Sequence, residues 1–233
     1  MLRITSIRQC VCVTMMIGVA VSVTGCATLF PASGEQSEAS SASREIDSSG
    51  LSRSEQAEVC FQTGLSLAAH ERDAHAIAQF RKAQSLNPNL KGIAHPLAVL
   101  YDRQGNFGLA ELEYKRAMEE GRPSADLLND FGYFRYTQNR LDDATSLLER
   151  ARRSSPNHAQ ATVNLAMVVA AKGDYDSAFD LFSEVVGPAA AHQNVGLLLM
   201  RAGREDEAVA HLAEASAIDP SLATAESLLA EYR

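Results

Sequence analysis

Five alanines limit what this chain can fold into: Ala76, Ala110, Ala144, Ala178 and Ala208. The first four follow one another at intervals of 34 residues and the last comes after 30. Each has the same companions. A bulky residue follows four positions on (Phe80, Tyr114, Leu148, Phe182, Leu212), and a small or β-branched one three positions later (Ala83, Ala117, Ala151, Val185, Ala215). Twelve positions before each alanine stands another small residue: Gly64, Ala98, Gly132, Ala166 or Gly196. Pro88, Pro156 and Pro220 close three of the units. A fixed period in the thirties marks a repeat array, whose units must be read together.

The pattern has a direct packing meaning. Two helices cross closely in each unit, and the small residues let their backbones approach while the large neighbour fills the remaining space. One helix pair cannot bury its own apolar face, so stability is shared between neighbours along the stack. Composition agrees with helix. After residue 55, Ala, Leu, Glu and Arg dominate, all good helix formers apart from their packing roles.

The spacing and the small/large alternation resemble the tetratricopeptide repeat (TPR), a 34-residue helix–turn–helix unit. The resemblance implies an all-α fold: a right-handed superhelix of about five repeats closed by a C-terminal capping helix. Units are expected at 57–90, 91–124, 125–158, 159–188 and 189–222, and the cap at 223–233, where Leu222, Ala225, Leu228, Leu229 and Tyr232 recur at helical spacing. The fourth unit ends early at Gly187-Pro188, a C-cap glycine and a breaker. The four-residue loss is close to one helical turn, which keeps the apolar face in phase. Turn residues inside the units are Gly105, Gly173, Gly203 and, in unit three, Asn139. Unit two carries Gly92 and Pro96, so its first helix is expected to begin late, near His95.

The N-terminus reads differently. Arg3 and Arg8 precede an apolar run from Val11 to Val23, and Thr24-Gly25-Cys26 follows. That is the order of a secretory signal peptide, over residues 1–25. The run is short for a membrane span. A short uncleaved anchor or a plain signal would share the charged and apolar regions. Val23-Thr24-Gly25-Cys26 adds a close resemblance to the bacterial lipobox, which implies that Cys26 is acylated and becomes the mature N-terminus. Ala27 after it implies the outer membrane by the proteobacterial sorting rule. Residues 26–55 are rich in Ser, Ala and Glu without apolar periodicity and read as a lipid-anchored disordered tether. Of four cysteines, Cys10 and Cys12 leave with the signal, and Cys60 remains as a core thiol.

Chemistry is hard to find. The chain has no glycine-rich phosphate loop, no Gly-x-Ser-x-Gly elbow and no Cys-x-x-Cys. His70 and His75 are five apart, one too many for a zincin helix. His95, His158, His192 and His211 read as scattered over different units. A net charge of −8 opposes general nucleic-acid binding, which needs a basic stripe. The chain is therefore expected to be no enzyme, with no cofactor and no metal, and to work through a surface.

In TPR arrays the first helix of each unit lines a concave groove. The resemblance places Phe61 and Leu65 there from unit one; His95, Val99, Asp102 and Arg103 from unit two; and Asp126, Asn129, Tyr133 and Tyr136 from unit three. Val163 and Met167 follow from unit four, and Gln193, Leu197, Met200 and Arg201 from unit five. Such an apolar, aromatic face suits a protein or peptide partner, although the same residues could instead pack on one another or on the tether. Lipobox, tether and repeats together resemble bacterial TPR lipoproteins, such as the TadD lipoproteins of tight-adherence (Flp) pilus systems and the type IV pilus pilotins. That implies a scaffold at the periplasmic face of the outer membrane, gripping a secretin or pilus component. An adaptor recruiting peptidoglycan-remodelling enzymes fits the same features.

Overall fold

The computed structural model describes residues 50–222. Among them are ten helices and no strand: α1 Arg53–Ala69, α2 Asp73–Leu86, α3 Ala94–Arg103, α4 Phe107–Glu119, α5 Ala125–Thr137, α6 Leu141–Ser154, α7 Ala159–Ala171, α8 Tyr175–Val186, α9 Pro188–Arg201 and α10 Glu205–Ile218. They pair in sequence into five hairpins. The chain divides into two compact units between Pro123 and Ser124. The N-terminal unit holds the α1–α2 and α3–α4 hairpins, and the C-terminal unit the other three. Cys26, most of the expected tether and the expected cap at 223–233 lie outside the described residues.

The five alanines are wholly buried, at 0% exposure each. Their bulky companions Phe80, Leu148, Phe182 and Leu212 are also at 0%, and Tyr114 at 1%. The small residues of the first helices explain the contact. A Cβ added at Gly64 would lie 2.7 Å from the Phe80 ring, and one at Gly132 would lie 2.7 Å from Cγ of Leu148. At Gly196 the nearest atom is Cγ of Leu212 at 2.9 Å. Each large side chain therefore sits where the partner helix lacks a side chain. Burying such a residue contributes about 1.5–3 kcal/mol. Neighbouring hairpins share the result: in the C-terminal unit Ala166 and Ala170 (α7), Ala178 and Phe182 (α8), Val195 and Leu199 (α9) and Ala208 (α10) form one cluster.

Local chemistry sets the helix ends. Ser52 and Glu55 make a reciprocal capping box at α1, with Glu55 N–H donating to Ser52 Oγ at 3.3 Å and Ser52 N–H to Glu55 Oε2 at 2.8 Å. This starts the helix at Arg53, inside the stretch assigned to the tether. Ser124 caps α5 by accepting from Leu127 N–H, and Asp174 caps α8 by accepting from Ser177 N–H. α3 begins at Ala94, so Pro96 falls in its first turn, where a missing N–H costs no intrahelical bond. The expected turn residues have positive φ, Asn139 at 58° among them, but the first hairpin uses Glu71 at 56°. Gly187 ends α8 and is also the N-cap of α9, at φ 80° and ψ 167°.

Two ion pairs tie the second helix of one hairpin to the second helix of the next. In the N-terminal unit Arg81 Nη1 meets Glu113 Oε1 at 2.9 Å, the Glu113 side chain being 3% exposed. Arg81 Nε also donates to the Tyr101 hydroxyl at 3.0 Å. In the C-terminal unit Arg152 Nη2 meets Glu184 Oε2 at 2.7 Å, with side chains 29% and 54% exposed.

Candidate functional site

The residues expected to line a groove all stand on the first helices of their hairpins. In the N-terminal unit, Phe61 is half-buried with its ring 5.9 Å from that of Phe80. Leu65 is exposed, a solvated apolar side chain next to the Gly64 contact. On α3, His95 and Val99 are half-buried, and the His95 ring lies 6.4 Å from Tyr114. Arg103 is held by Asp73 at 3.0 Å, so it serves the unit's own packing.

The C-terminal unit presents the larger candidate face. Tyr133 and Tyr136 on α5 are half-buried and lie 6.0 Å apart, ring to ring. Val163 and Met167 on α7 and Met200 on α9 pack against the shared core while remaining partly open. Burial pushes the Tyr136 hydroxyl above its ordinary pKa, and the guanidinium of Arg201 pulls it back. The charge of an α9 residue is thus felt on α5, across two hairpins of one unit. Arg201 itself is exposed, and Gln193 and Leu197 are half-buried. The Oε1 atom of Gln193 is buried and has no hydrogen-bond donor among the described residues. An acceptor left that way costs roughly 1–3 kcal/mol.

Two expectations need correction. Asn129 is not open to a partner. It is 5% exposed, and its Oδ1 accepts from Nδ2 of Asn164 at 2.9 Å. The two amides join α5 to α7, where both are shielded from water and so must satisfy each other. Asp126 stays open, its side chain 80% exposed, with its Oδ1 3.0 Å from Nε2 of His158, whose Nδ1 caps α7 by accepting from Ala161 N–H. His192 and His211 are not scattered either. They stand on the two helices of the last hairpin, with Nδ1 atoms 3.1 Å apart.

Sequence reasoning missed the buried polar residues of the first helices. Arg135 is 4% exposed with its guanidinium 4.6 Å from the centre of the Phe131 ring. Thr162 and Asn164 are also buried. The 35-residue interval between Asn129 and Asn164, close to the repeat length, is the signal that could have revealed their pairing.

Comparison with known proteins agrees with this architecture. Residues 129–194 and 189–222 match tetratricopeptide-repeat family models. The chain is 28% identical over 151 residues to the type IV pilus assembly protein PilF of Pseudomonas aeruginosa, an alignment covering 64% of this chain and 55% of that protein. It thus spans little more than half the length of the curated relative it matches. Among solved structures, YrrB, a TPR protein with an unusual peptide-binding site, matches with a TM-score of 0.59 at 21% identity, covering 74% of this chain and 91% of the other. The Pseudomonas aeruginosa PilF structure matches with a TM-score of 0.56 at 19% identity, covering 78% and 100%. The fold is that of a tetratricopeptide-repeat protein, similar to PilF.

Proposed function

We propose that this chain is a non-catalytic scaffold that binds another polypeptide along the first helices of its repeats and assists assembly of a pilus or secretion machine in the bacterial envelope. The observation that carries the reading is the face of the C-terminal unit. Tyr133, Tyr136, Met167, Leu197 and Met200 are apolar or amphipathic side chains left partly open, a composition enriched at protein interfaces. Phe61, Leu65, His95 and Val99 are the corresponding contacts of the N-terminal unit. The similarity to PilF supports pilus assembly as the setting, and in this reading the partner is a secretin or pilus component.

Cys26 as an acylated N-terminus anchors the scaffold at the periplasmic face of the outer membrane in this reading. Val23-Thr24-Gly25-Cys26 supports it. Among the described residues no helix is long and apolar enough to cross a membrane. Incorporation of labelled palmitate should be lost in Cys26→Ser; label still entering that variant refutes the anchor.

Paired truncation tests the face. Tyr133→Ala with Met167→Ala should abolish capture of the partner cross-linked in envelope preparations, while the helical signal and cooperative melting persist. Undiminished capture by a folded double variant refutes the site.

A further inference from the structure

One cluster of ligand-type side chains is absorbed neither by the packing nor by the proposed interface. His192 lies on α9 and His211 on α10. Their Nδ1 atoms are 3.1 Å apart. The ring centroids are 5.1 Å apart, with the ring planes inclined by 48°. Phe179 from α8 packs on His192 with centroids 4.4 Å apart and limits rotation of that ring. Both imidazoles are half-buried, so water and small ions reach them. Burial and the neighbouring His192 hold the His211 imidazole below its ordinary pKa, while the charges of Asp176, Glu207 and Glu214 pull it upward.

Two imidazoles placed nitrogen to nitrogen can share a proton or share a cation. On a tetrahedral zinc ion with Zn–N distances of about 2.0–2.1 Å, two nitrogens sit about 3.3 Å apart. The separation here differs from that by a few tenths of an ångström. We propose that His192 and His211 form a two-imidazole binding site for a borderline divalent cation of the zinc class, bridging α9 and α10.

Binding uses the Nδ1 lone pair of each neutral ring. Both rings then carry their proton on Nε2. The proton one Nδ1 shared with the other passes to Nε2 of the same ring through solvent, and the protein's charge is unchanged. Imidazole pairs favour zinc, copper and nickel over magnesium and calcium, which prefer oxygen. Among the described residues no group of three or more ligating side chains is assembled. Water fills the remaining positions, which makes the site open and exchangeable. A cation there ties the two helices of the last hairpin together.

Zinc chloride titrated calorimetrically into the full chain, its accessible thiols blocked with iodoacetamide, tests the proposal. One-to-one binding is expected, weakened at least tenfold in His192→Gln and in His211→Gln and unchanged in His75→Gln. No binding by the unaltered chain, or undiminished binding by either pair variant, overturns it. If either pair variant loses its helical signal, copper(II) paramagnetic resonance on the unaltered chain decides. Coupling to two imidazole nitrogens is expected; coupling to one or none overturns the site.

Discussion

The same ion pair occurs in both units, one helical turn apart in the repeat, and the two copies are energetically different. Arg81 and Glu113 are separated by 32 residues, and so are Arg152 and Glu184. In the N-terminal unit the carboxylate is 3% exposed, and in the C-terminal unit it is 54% exposed. A shielded carboxylate has lost its water and relies on Arg81 at 2.9 Å and on the more distant Arg116 at 3.9 Å, whereas an exposed one keeps most of its hydration. Removing one partner of a buried pair costs several kcal/mol, because a charge is stranded. Removing a partner at the surface costs from nothing to about 1 kcal/mol. Repeat spacing sets which helices meet, and the turn on which a pair falls decides whether the contact stabilises.

Arg81→Ala should give the largest effect, a loss of about 2 kcal/mol, reduced from the fully buried figure because Arg81 itself is 41% exposed and Arg116 stays 3.9 Å from the carboxylate. Amide hydrogen exchange in α2 and α4 measures it. Arg81→Met combined with Glu113→Leu should recover most of the loss, since no stranded charge remains. Failure of the double variant to recover the loss would show that the stranded charge is not the reason.

The glycine contacts ask whether packing, unlike charge, is uniform between units. Gly64→Ala and Gly132→Ala should each lose about 1 kcal/mol, overpacking of about 1–3 kcal/mol offset by about 1 kcal/mol of helix propensity. The added Cβ meets a Phe80 ring edge in one case and Cγ of Leu148 in the other, both at 2.7 Å. A gain in melting temperature at either position would mean that its neighbour yields freely.

Arg152→Ala should change stability by less than about 0.5 kcal/mol, and that difference should vanish in high salt. An Arg152 effect as large as that of Arg81 would erase the contrast. The smallest effect is a shared one. Hydrogen bonds from Ser52 hold Glu55 below its usual pKa, and those from Ser177 do the same for Asp174. Both caps contribute fully above their unfolded values, 4.5 and 3.8. They fade as pH falls through the lower folded values. Exchange protection at the starts of α1 and α8 should therefore decline in acid, and Glu55→Gln, which has no carboxylate to titrate, should remove the effect at α1 alone.

Much of the fold was legible because volume leaves a mark in sequence. A position that must let two helices touch accepts Gly or Ala and little else, so a period survives even where every other residue changes. The shortened fourth unit was readable for the same kind of reason, since Gly187-Pro188 has few other uses. Glu71 was not legible, because a left-handed conformation forced on an ordinary residue by the flanking helices carries no compositional sign. The site was less readable than the fold. Helical position placed Asn129 on the expected face but could not show that Asn164 closes over it. His192 and His211 both fall in the stretch 189–222, but a spacing of 19 residues across a turn carries no sign that their rings meet.

Gly187 deserves a last consequence. One residue both finishes α8 and starts α9, so no slack connects the fourth and fifth hairpins. Elsewhere along the array an inserted residue lengthens a surface link and is tolerated. At this join no loop can absorb an inserted residue, which would shift the start of α9 and move the Ala208 contact away from its neighbours. The last hairpin can therefore evolve in surface chemistry while its register stays frozen.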